Sequence, residues 1–371
     1  MRKEVVVFLF SLYSRGGLEK VTNVLASELV NRGYKVVYAI DRLDGPHEVL
    51  PERVEVRVFA EYLPPSRRRT LTFVRSWMRS RSKLLELKSC YPNAVYVSVS
   101  SLYSAWVAIS ANARPLFLWL HGSVEEVFVS SRKWIVNKKL FLRVDRLVAL
   151  SESMRKEISN FLGEKVLRKT LVISNPATTD VRESLYSPGS NRFAYVGRLD
   201  KTQKKVYRII RAFGMIERHD WELIIVGDGP EKENLYDLAQ SLGINERIIW
   251  AGWQSDPWKY VKDNFGGVEA LLLTSDYEGF PAVLVEAMAN GIPCVAVDCP
   301  TGPSDIIQHG VNGVLIPFTS DEQIIKDVSD VLKEFLEGKL AFDQDKIKAS
   351  VADHDPSAVV QKWIELIEGY S

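Results

Sequence analysis

The chain is expected to fold as an α/β protein of two doubly wound, parallel-sheet domains facing each other across a cleft. Three observations predict this. At 371 residues the chain exceeds one ordinary domain. Short apolar runs alternate with helical patterns along its length, which is the mark of βαβ units. The glycine-bearing polar loops follow directly on those runs, at Ser14–Gly17, His121–Gly122, Gly197–Arg198, Gly227–Gly229 and Ser275–Pro281. That is the strand end at which doubly wound domains hold ligands.

The first domain is expected over residues 1–176. Its strands read as Val5–Leu12, Lys35–Asp41, Val54–Phe59, Ala94–Ser98, Leu116–Leu120, Arg146–Leu150 and Thr170–Ile173. The opening Met1–Arg2–Lys3 before Val5–Phe10 superficially resembles a secretory leader, but the apolar run is short and no A-x-A site follows. A buried first strand is the expectation. Leu18–Arg32 is a helix stopped by Gly33. Asn175–Pro176 and the polar stretch to Asn191, with Pro188 and Gly189, read as a linker over 177–191.

The second domain is expected over 192–355. Its strands are Phe193–Val196, Glu222–Val226, Ile248–Ala251, Ala270–Thr274, Pro293–Val297 and Val314–Ile316. Helices Glu231–Leu242, Pro281–Asn290 and Asp321–Glu337 intervene. Residues 356–371 form a tail that is helical over Pro356–Ile367, with Val359, Val360, Trp363, Ile364 and Ile367 on one stripe.

Composition narrows the function. Hydrophobic residues at 46% and charged residues at 26% describe a soluble globular chain, and no run of about eighteen apolar residues predicts a spanning helix. The net charge of +1 hides an asymmetry: residues 1–176 carry 29 Lys+Arg against 16 Asp+Glu, and the remainder 19 against 31. The first half attracts anions or an anionic surface. Three cysteines, Cys90, Cys294 and Cys299, lack metal-ligand spacing and suit a reduced cytosolic protein. No Ser/His/Asp set, zinc spacing or P-loop is present. Asp343–Gln344–Asp345 and Asp353–His354–Asp355 have D-x-D spacing but follow no apolar strand, so neither a metal nor any other cofactor is expected.

The most informative stretch is Ser275–Asp276–Tyr277–Glu278–Gly279–Phe280–Pro281 with Glu286. It reads as strand, glycine turn, then a helix opening at Pro281, whose missing N–H is harmless there. The amides near Gly279 and Phe280 then stand at a helix N-terminus, which favours an anion such as phosphate. Glu278 lies just outside the helix and Glu286 about one and a half turns inside it. A ligand with a phosphate and two hydroxyl-rich ends suits this arrangement, and a nucleotide sugar is such a ligand.

Glu278–Pro281, Glu286, Ala287–Met288–Ala289 and Gly291–Ile292–Pro293 resemble the hallmark of the retaining glycosyltransferases of group 1, which have two Rossmann-like domains in the GT-B arrangement. The resemblance implies that Glu278 contacts the donor sugar, that Glu286 binds the ribose hydroxyls, and that the final helix crosses back to the first domain. It further implies that Arg198 and Lys204, six positions apart, neutralise the leaving diphosphate. Arg supplies a planar fork and Lys a mobile point charge for that purpose. Where the family usually has glycine after the lysine, this chain has Lys205. Gly16 and Gly17 are similar to the family's glycine pair, for close backbone approach to phosphate and sugar. His121 is expected beside the donor sugar, and Trp253 and Gln254 at the base. Gly227–Pro230 and Thr301–Ser304 are expected to be mainly structural, a turn and a helix cap.

On the acceptor side, Ser66–Lys88 holds eight Arg/Lys and the single acid Glu86. Arg75, Arg79 and Lys83 recur at helical spacing, beside an apolar stripe of Phe73, Trp77 and Leu84 with Val74, Met78 and Leu85. Such a helix suits an anionic membrane surface or a phosphorylated glycolipid, and Arg132–Lys133–Trp134 with Lys138, Lys139 and Arg143 repeats the character. No nucleic-acid motif accompanies the charge. Across 192–317, runs such as Trp250–Gln254 and Gly302–Ile307 are similar to the bacterial lipopolysaccharide core α-1,6-galactosyltransferases. The resemblance implies metal-free transfer, with retention, of galactose or glucose from a UDP-sugar to a lipopolysaccharide core or other lipid-linked glycan. The expected place is the cytoplasmic face of the inner membrane, with domain closure excluding water. An epimerase or hydrolase of the same architecture, or a non-catalytic glycan- or lipid-binding protein, are the alternatives.

Overall fold

The computed structural model describes residues 4–9, 17–40, 50–58, 70–100, 102–122, 134–178 and 183–370. Gly16, Arg132 and Lys133, named above, and Arg67–Arg69, three of the eight cations of Ser66–Lys88, lie outside the described residues. The chain forms two units, residues 1–178 with 355–371, and residues 179–354.

In the first unit the described elements are β1 (Glu4–Leu9), α1 (Gly17–Asn31), β2 (Lys35–Ile40), β3 (Glu55–Val58), α2 (Thr70–Cys90), β4 (Val95–Val99), α3 (Leu102–Ser110) and β5 (Leu116–Trp119). After them come α4 (Trp134–Arg143), β6 (Arg146–Ala149), α5 (Glu152–Leu162), α6 (Glu164–Leu167) and β7 (Thr170–Val172). The strands pair in parallel in the order β3-β2-β1-β4-β5-β6-β7. Every residue of β4 and β5 is buried. Strands covered on both faces need continuous apolar sequence rather than alternation, and Leu116–Trp119 supplies it.

The terminal helix, Pro356–Glu368, completes this unit. Asp355 caps it by accepting from the Ser357 amide at 2.9 Å. Val359, Val360, Trp363, Ile364 and Ile367, the stripe read in the sequence, are buried, and the helix packs on α1. The Trp363 ring stands 4.9 Å from that of Trp119, and Tyr34 donates to Glu368 at 2.8 Å.

Helix α2 divides the apolar stripe read in its sequence between an inward and an outward face. Its inward face carries Ser76, Ser80, Leu84 and Leu87, while Val74 and Met78 stand outward, 44% and 60% exposed. Trp77, expected in the apolar stripe, is half-buried. The reason is close approach to α3: the Ser80 and Tyr103 hydroxyls are 3.1 Å apart and Arg81 Nε donates to the Ser110 carbonyl at 3.1 Å. Small hydroxyl side chains fit that approach better than large apolar ones.

In the second unit the elements are β8 (Arg192–Val196), α7 (Tyr207–Gly214), β9 (Glu222–Val226), α8 (Lys232–Ser241), β10 (Ile248–Gly252), α9 (Pro257–Phe265) and β11 (Ala270–Leu273). They continue with α10 (Ala282–Ala289), β12 (Cys294–Val297), α11 (Pro303–Ile306), β13 (Gly313–Ile316), α12 (Asp321–Leu336) and α13 (Gln344–Ser350). The parallel sheet has the order β10-β9-β8-β11-β12-β13. Helix α12 buries Ile324, Ile325, Val328, Leu332, Phe335 and Leu336 on one face, each worth about 1.5–3 kcal/mol of burial. The D-x-D residue Asp343 serves as a helix cap, accepting from the Asp345 and Lys346 amides.

Residues 183–191, read as part of a linker, are packed onto the second unit. Leu185 is buried and its amide donates to the Asn290 carbonyl at 2.8 Å. Buried Glu269 accepts from the amides of Gly189 and Asn191 at 3.1 and 3.0 Å. No described helix is long and apolar enough to cross a membrane.

Candidate active site

The order of the second sheet reverses direction between β8 and β11, the two strands whose following loops carry Lys204 and Glu278. Strand order of this kind opens a crevice at the strand C-termini.

The loop after β8 is shaped by Asp200. Its Oδ1 accepts from the Thr202 amide at 2.8 Å, the Thr202 hydroxyl at 2.6 Å and the Gln203 amide at 2.9 Å. The Thr202 hydroxyl first, then those amides, hold the carboxyl below its usual range, so the turn is charged and closed at neutral pH. Lys205 follows with φ +51°, a left-handed backbone that glycine would adopt without strain. This is the position at which glycine was expected by resemblance.

The loop after β11 is closed by its own hydroxyls. Ser275 donates to Glu278 Oε1 at 2.6 Å, and the Thr301 hydroxyl donates to the Glu278 carbonyl. Gly302, at φ +100°, lets the next loop pass beneath Pro281, since a Cβ there would lie 2.6 Å from the proline Cδ. Helix α10 begins at Ala282, with Pro281 as its N-cap.

These two loops bring Lys204 and Glu278 together. Lys204 Nζ lies 2.6 Å from Glu278 Oε1, both side chains largely buried. Gln203 Nε2 donates to the Tyr277 carbonyl at 3.2 Å and approaches Glu278 Oε2 at 3.5 Å. Oε1 therefore has two donors, while Oε2 keeps room for another. Glu286, half-buried on α10, accepts from the indole N–H of Trp258 at 3.2 Å. Trp258 is buried on α9, so its indole fixes the carboxylate without competing for its solvent side. Gly279 is half-buried and Phe280 buried, its ring 5.4 Å from His354.

Of the other candidates, Arg198, Trp253 and Gln254 belong to the second unit, and Gly17 and His121 to the first. The Arg198 side chain is 69% exposed and comes no nearer than 4.0 Å to Asp200, so it has not joined Lys204. Trp253 is exposed, and Gln254 turns its amide back onto the Ala251 carbonyl at 2.9 Å. Gly17 stands at the start of α1 in the first unit, where a Cβ would meet no atom of the described residues within 4 Å. His121 also belongs to the first unit, half-buried, 4.3 Å from the Trp119 ring. Its Nε2 has no hydrogen-bond partner among the described residues. Burial pushes its pKa down to about 3, so the imidazole is neutral at physiological pH. Burial raises the Cys294 thiol and pushes Cys299 up to about 12, so neither is a nucleophile.

The roles of Ser275, Gln203, Thr301 and Trp258 in holding the two glutamates were not read in the sequence. Among the described residues no cluster of His, Cys, Asp or Glu could hold a metal ion. A cavity of about 390 Å³ lies in the first unit between Arg146, Leu171, Ile173 and the terminal helix, and contains none of the candidate residues.

The chain matches the glycosyl transferases group 1 family over residues 177–344 and glycosyltransferase family 4 over residues 15–181. It is 33% identical over 241 residues to a lipopolysaccharide 1,6-galactosyltransferase of Escherichia coli strain K12, covering 64% of this chain and 63% of that protein. Its fold matches the apo form of the lipopolysaccharide outer core galactosyltransferase WaaB with a TM-score of 0.79 at 23% identity, over 99% of each chain. It matches Anabaena HepE in complex with UDP-glucose with a TM-score of 0.75 at 21% identity, over 98% of this chain and 99% of that one.

Proposed function

We propose that this chain, which matches the glycosyl transferases group 1 family over residues 177–344 and glycosyltransferase family 4 over residues 15–181, transfers a hexose from a UDP-sugar to a lipid-linked glycan, with retention at the anomeric carbon. The observation that carries this is the 2.6 Å contact between Lys204 and Glu278, at adjacent strand ends beside the start of α10. The names of its relatives favour galactose as the sugar and a lipopolysaccharide core as the acceptor.

In this reading the donor's diphosphate takes the Lys204 ammonium as a partner, and Arg198, now exposed, folds onto the same phosphates. Glu278, released from part of its contact with Lys204, accepts from a sugar hydroxyl through Oε2. Glu286, steadied by Trp258, accepts from the ribose hydroxyls. The anomeric C–O bond to the diphosphate breaks as the acceptor oxygen bonds to that carbon on the same face. The acceptor proton passes to the leaving phosphate oxygen, so no strong protein base is needed. Fixed positive charge on the developing diphosphate supplies most of the acceleration. Charge compensation by Lys204, Arg198 and the α10 N-terminus makes a metal unnecessary.

Calorimetric titration with UDP, GDP and UDP-hexoses in EDTA tests this. UDP is expected to bind without metal, and Glu286→Ala to weaken it by about tenfold to a hundredfold, the range for a lost charge-assisted hydrogen bond. No nucleotide binding by the wild type would overturn the transferase reading. Sugar release independent of any acceptor would favour a hydrolase.

Helix α2 supports work at an anionic bilayer, at the cytoplasmic face of the inner membrane. Arg75, Arg79 and Lys83 are exposed beside the outward-facing Val74 and Met78. Apolar side chains flanked by long cations suit an interfacial helix. Reversing Arg75, Arg79 and Lys83 to Glu is expected to release the protein from anionic vesicles in a flotation assay while UDP binding is kept. Unchanged vesicle binding would leave α2 a purely structural helix.

A further inference from the structure

We propose that Arg208 is a positioning residue for the Lys204–Glu278 pair, acting through Asp276. The proposal rests on the donor-site reading only for what that pair does; the geometry itself is independent of it.

Arg208 lies on α7, four residues after Lys204, and is 2% exposed. Its neighbours on that inner face, Ile209, Ile210, Ala212 and Phe213, are buried and apolar. Packing alone would be served by another apolar side chain. A guanidinium there must be dehydrated, and only its partners offset that. Those partners are specific. Nη1 donates to the Thr274 carbonyl at 2.9 Å, and Nη2 forms an ion pair with Asp276 Oδ1 at 2.6 Å. Nε donates to Asp321 Oδ1 at 3.1 Å, at the first residue of α12, which Nη2 and the Tyr207 hydroxyl also contact. Two of the three groups held by Arg208 belong to the turn that carries Glu278.

Lys205 holds the same turn from the other side. Its ammonium lies 3.0 Å from Asp276 Oδ2, so each oxygen of Asp276 faces a cation from the segment that follows Lys204. The backbone adds two ties: the Asp276 amide donates to the Gln203 carbonyl at 2.9 Å, and the Thr274 hydroxyl donates to the Lys205 carbonyl at 3.1 Å. Residues 203 and 205 are thus anchored to residues 274 and 276. Lys204 lies between the first two and Glu278 two residues beyond the last. The 2.6 Å approach of Lys204 to Glu278 follows from this double stitch. The strained Lys205 backbone is retained because its side chain is one of the stitches.

The test uses the full chain, with lysines reductively methylated with carbon-13 and the Lys204 resonance identified by its loss in Lys204→Arg. In Arg208→Met that resonance is expected to move toward those of solvent-exposed lysines. Turnover of UDP-hexose is expected to fall on the order of tenfold to a hundredfold, the effect of displacing a reacting group by about 1 Å. Arg208→Lys restores the charge without the fork and is expected to recover only part of both. Asp321→Asn removes the α12 partner and is expected to lower the melting temperature while leaving the Lys204 resonance in place. An unmoved Lys204 resonance with wild-type turnover in folded Arg208→Met overturns the proposal. Should Arg208→Met not fold, Asp276→Asn decides, because Arg208 keeps Asp321 there; an unmoved resonance again overturns it. If the wild type neither binds UDP nor transfers, yet the resonance moves in Arg208→Met, the donor reading fails and the positioning role stands.

Discussion

Replacing Lys204 with alanine is expected to lower transfer from a UDP-hexose by at least about a hundredfold, the usual effect of removing a preorganised charge from a transition state. Glu278→Ala is expected to do the same for a different reason, since it removes the carboxylate proposed to orient the sugar. Both single variants also lose stability. The pair is largely buried at 2.6 Å, and removing one member strands the other's charge, at a cost of up to about 3–5 kcal/mol in a fully buried setting and less here because part of Lys204 reaches solvent. The double variant Lys204→Ala/Glu278→Ala removes both charges. Its melting temperature is expected to recover toward the wild type while its turnover does not. Initial-rate assays and thermal unfolding of the four proteins separate these effects. Near-normal turnover in either single variant would remove that residue from the chemistry.

Gly227→Ala is the substitution expected to damage the second unit most. Gly227 follows β9 with φ +149°, and a Cβ there would sit 1.8 Å from the carbonyl oxygen of Gly197. The obstacle is backbone, so no side chain can move aside. The same two glycines carry hydrogen bonds that line up three strand ends, from the Gly197 amide to the Val226 carbonyl at 3.0 Å and from the Gly227 amide to the Gly252 carbonyl at 2.8 Å. A loss of about 3 kcal/mol or more is expected, at the upper end of single-residue effects. In a unit of this size that corresponds to a melting temperature lower by roughly 6–12 °C. Gly243→Ala is the control. Gly243 has φ +68°, and a Cβ there would meet no atom of the described residues within 4 Å, so it bears only the left-handed penalty of about 1 kcal/mol. Equal melting temperatures for the two variants would show that the loops after β8 and β9 can separate freely.

The two-sheet architecture was legible because parallel strands buried on both faces write themselves as apolar runs, as in Leu116–Trp119 and Ala270–Leu273. Trp363 and its stripe announced a packed terminal helix through their spacing alone. Glu278 and Glu286 were named because their segment has a recognisable order of strand, glycine turn and helix, and Lys204 because, with Arg198, it resembles the family's cation pair. The residues that hold them were not. Arg208 is one cation inside an apolar stripe, and its partner Asp321 lies 113 residues away, a pairing that no local pattern contains. Trp258 reads as a core tryptophan until its indole N–H is seen on Glu286. Helix α2 was legible in part: Val74 and Met78 of its stripe stand outward, whereas Leu84 of the same stripe turns inward, and no local pattern shows that Ser80 will meet α3. The polar, proline- and glycine-bearing stretch before Asn191 reads as linker, because nothing local shows that Glu269 will take up its amides.

The return of the terminal helix to the first unit has a consequence for how the protein comes into being. The first unit is discontinuous in sequence, whereas residues 179–354 are continuous. On the ribosome the second unit can close as soon as its own residues have emerged. The first unit, although synthesised earlier, must wait for Trp363 and Ile367 before the Trp119 side of its core is covered. The usual order of vectorial folding, amino-terminal domain first, is therefore inverted. Until residues 356–368 leave the exit tunnel, the half of the chain richest in arginine and lysine carries an uncovered apolar face, which is the state a nascent-chain chaperone would meet.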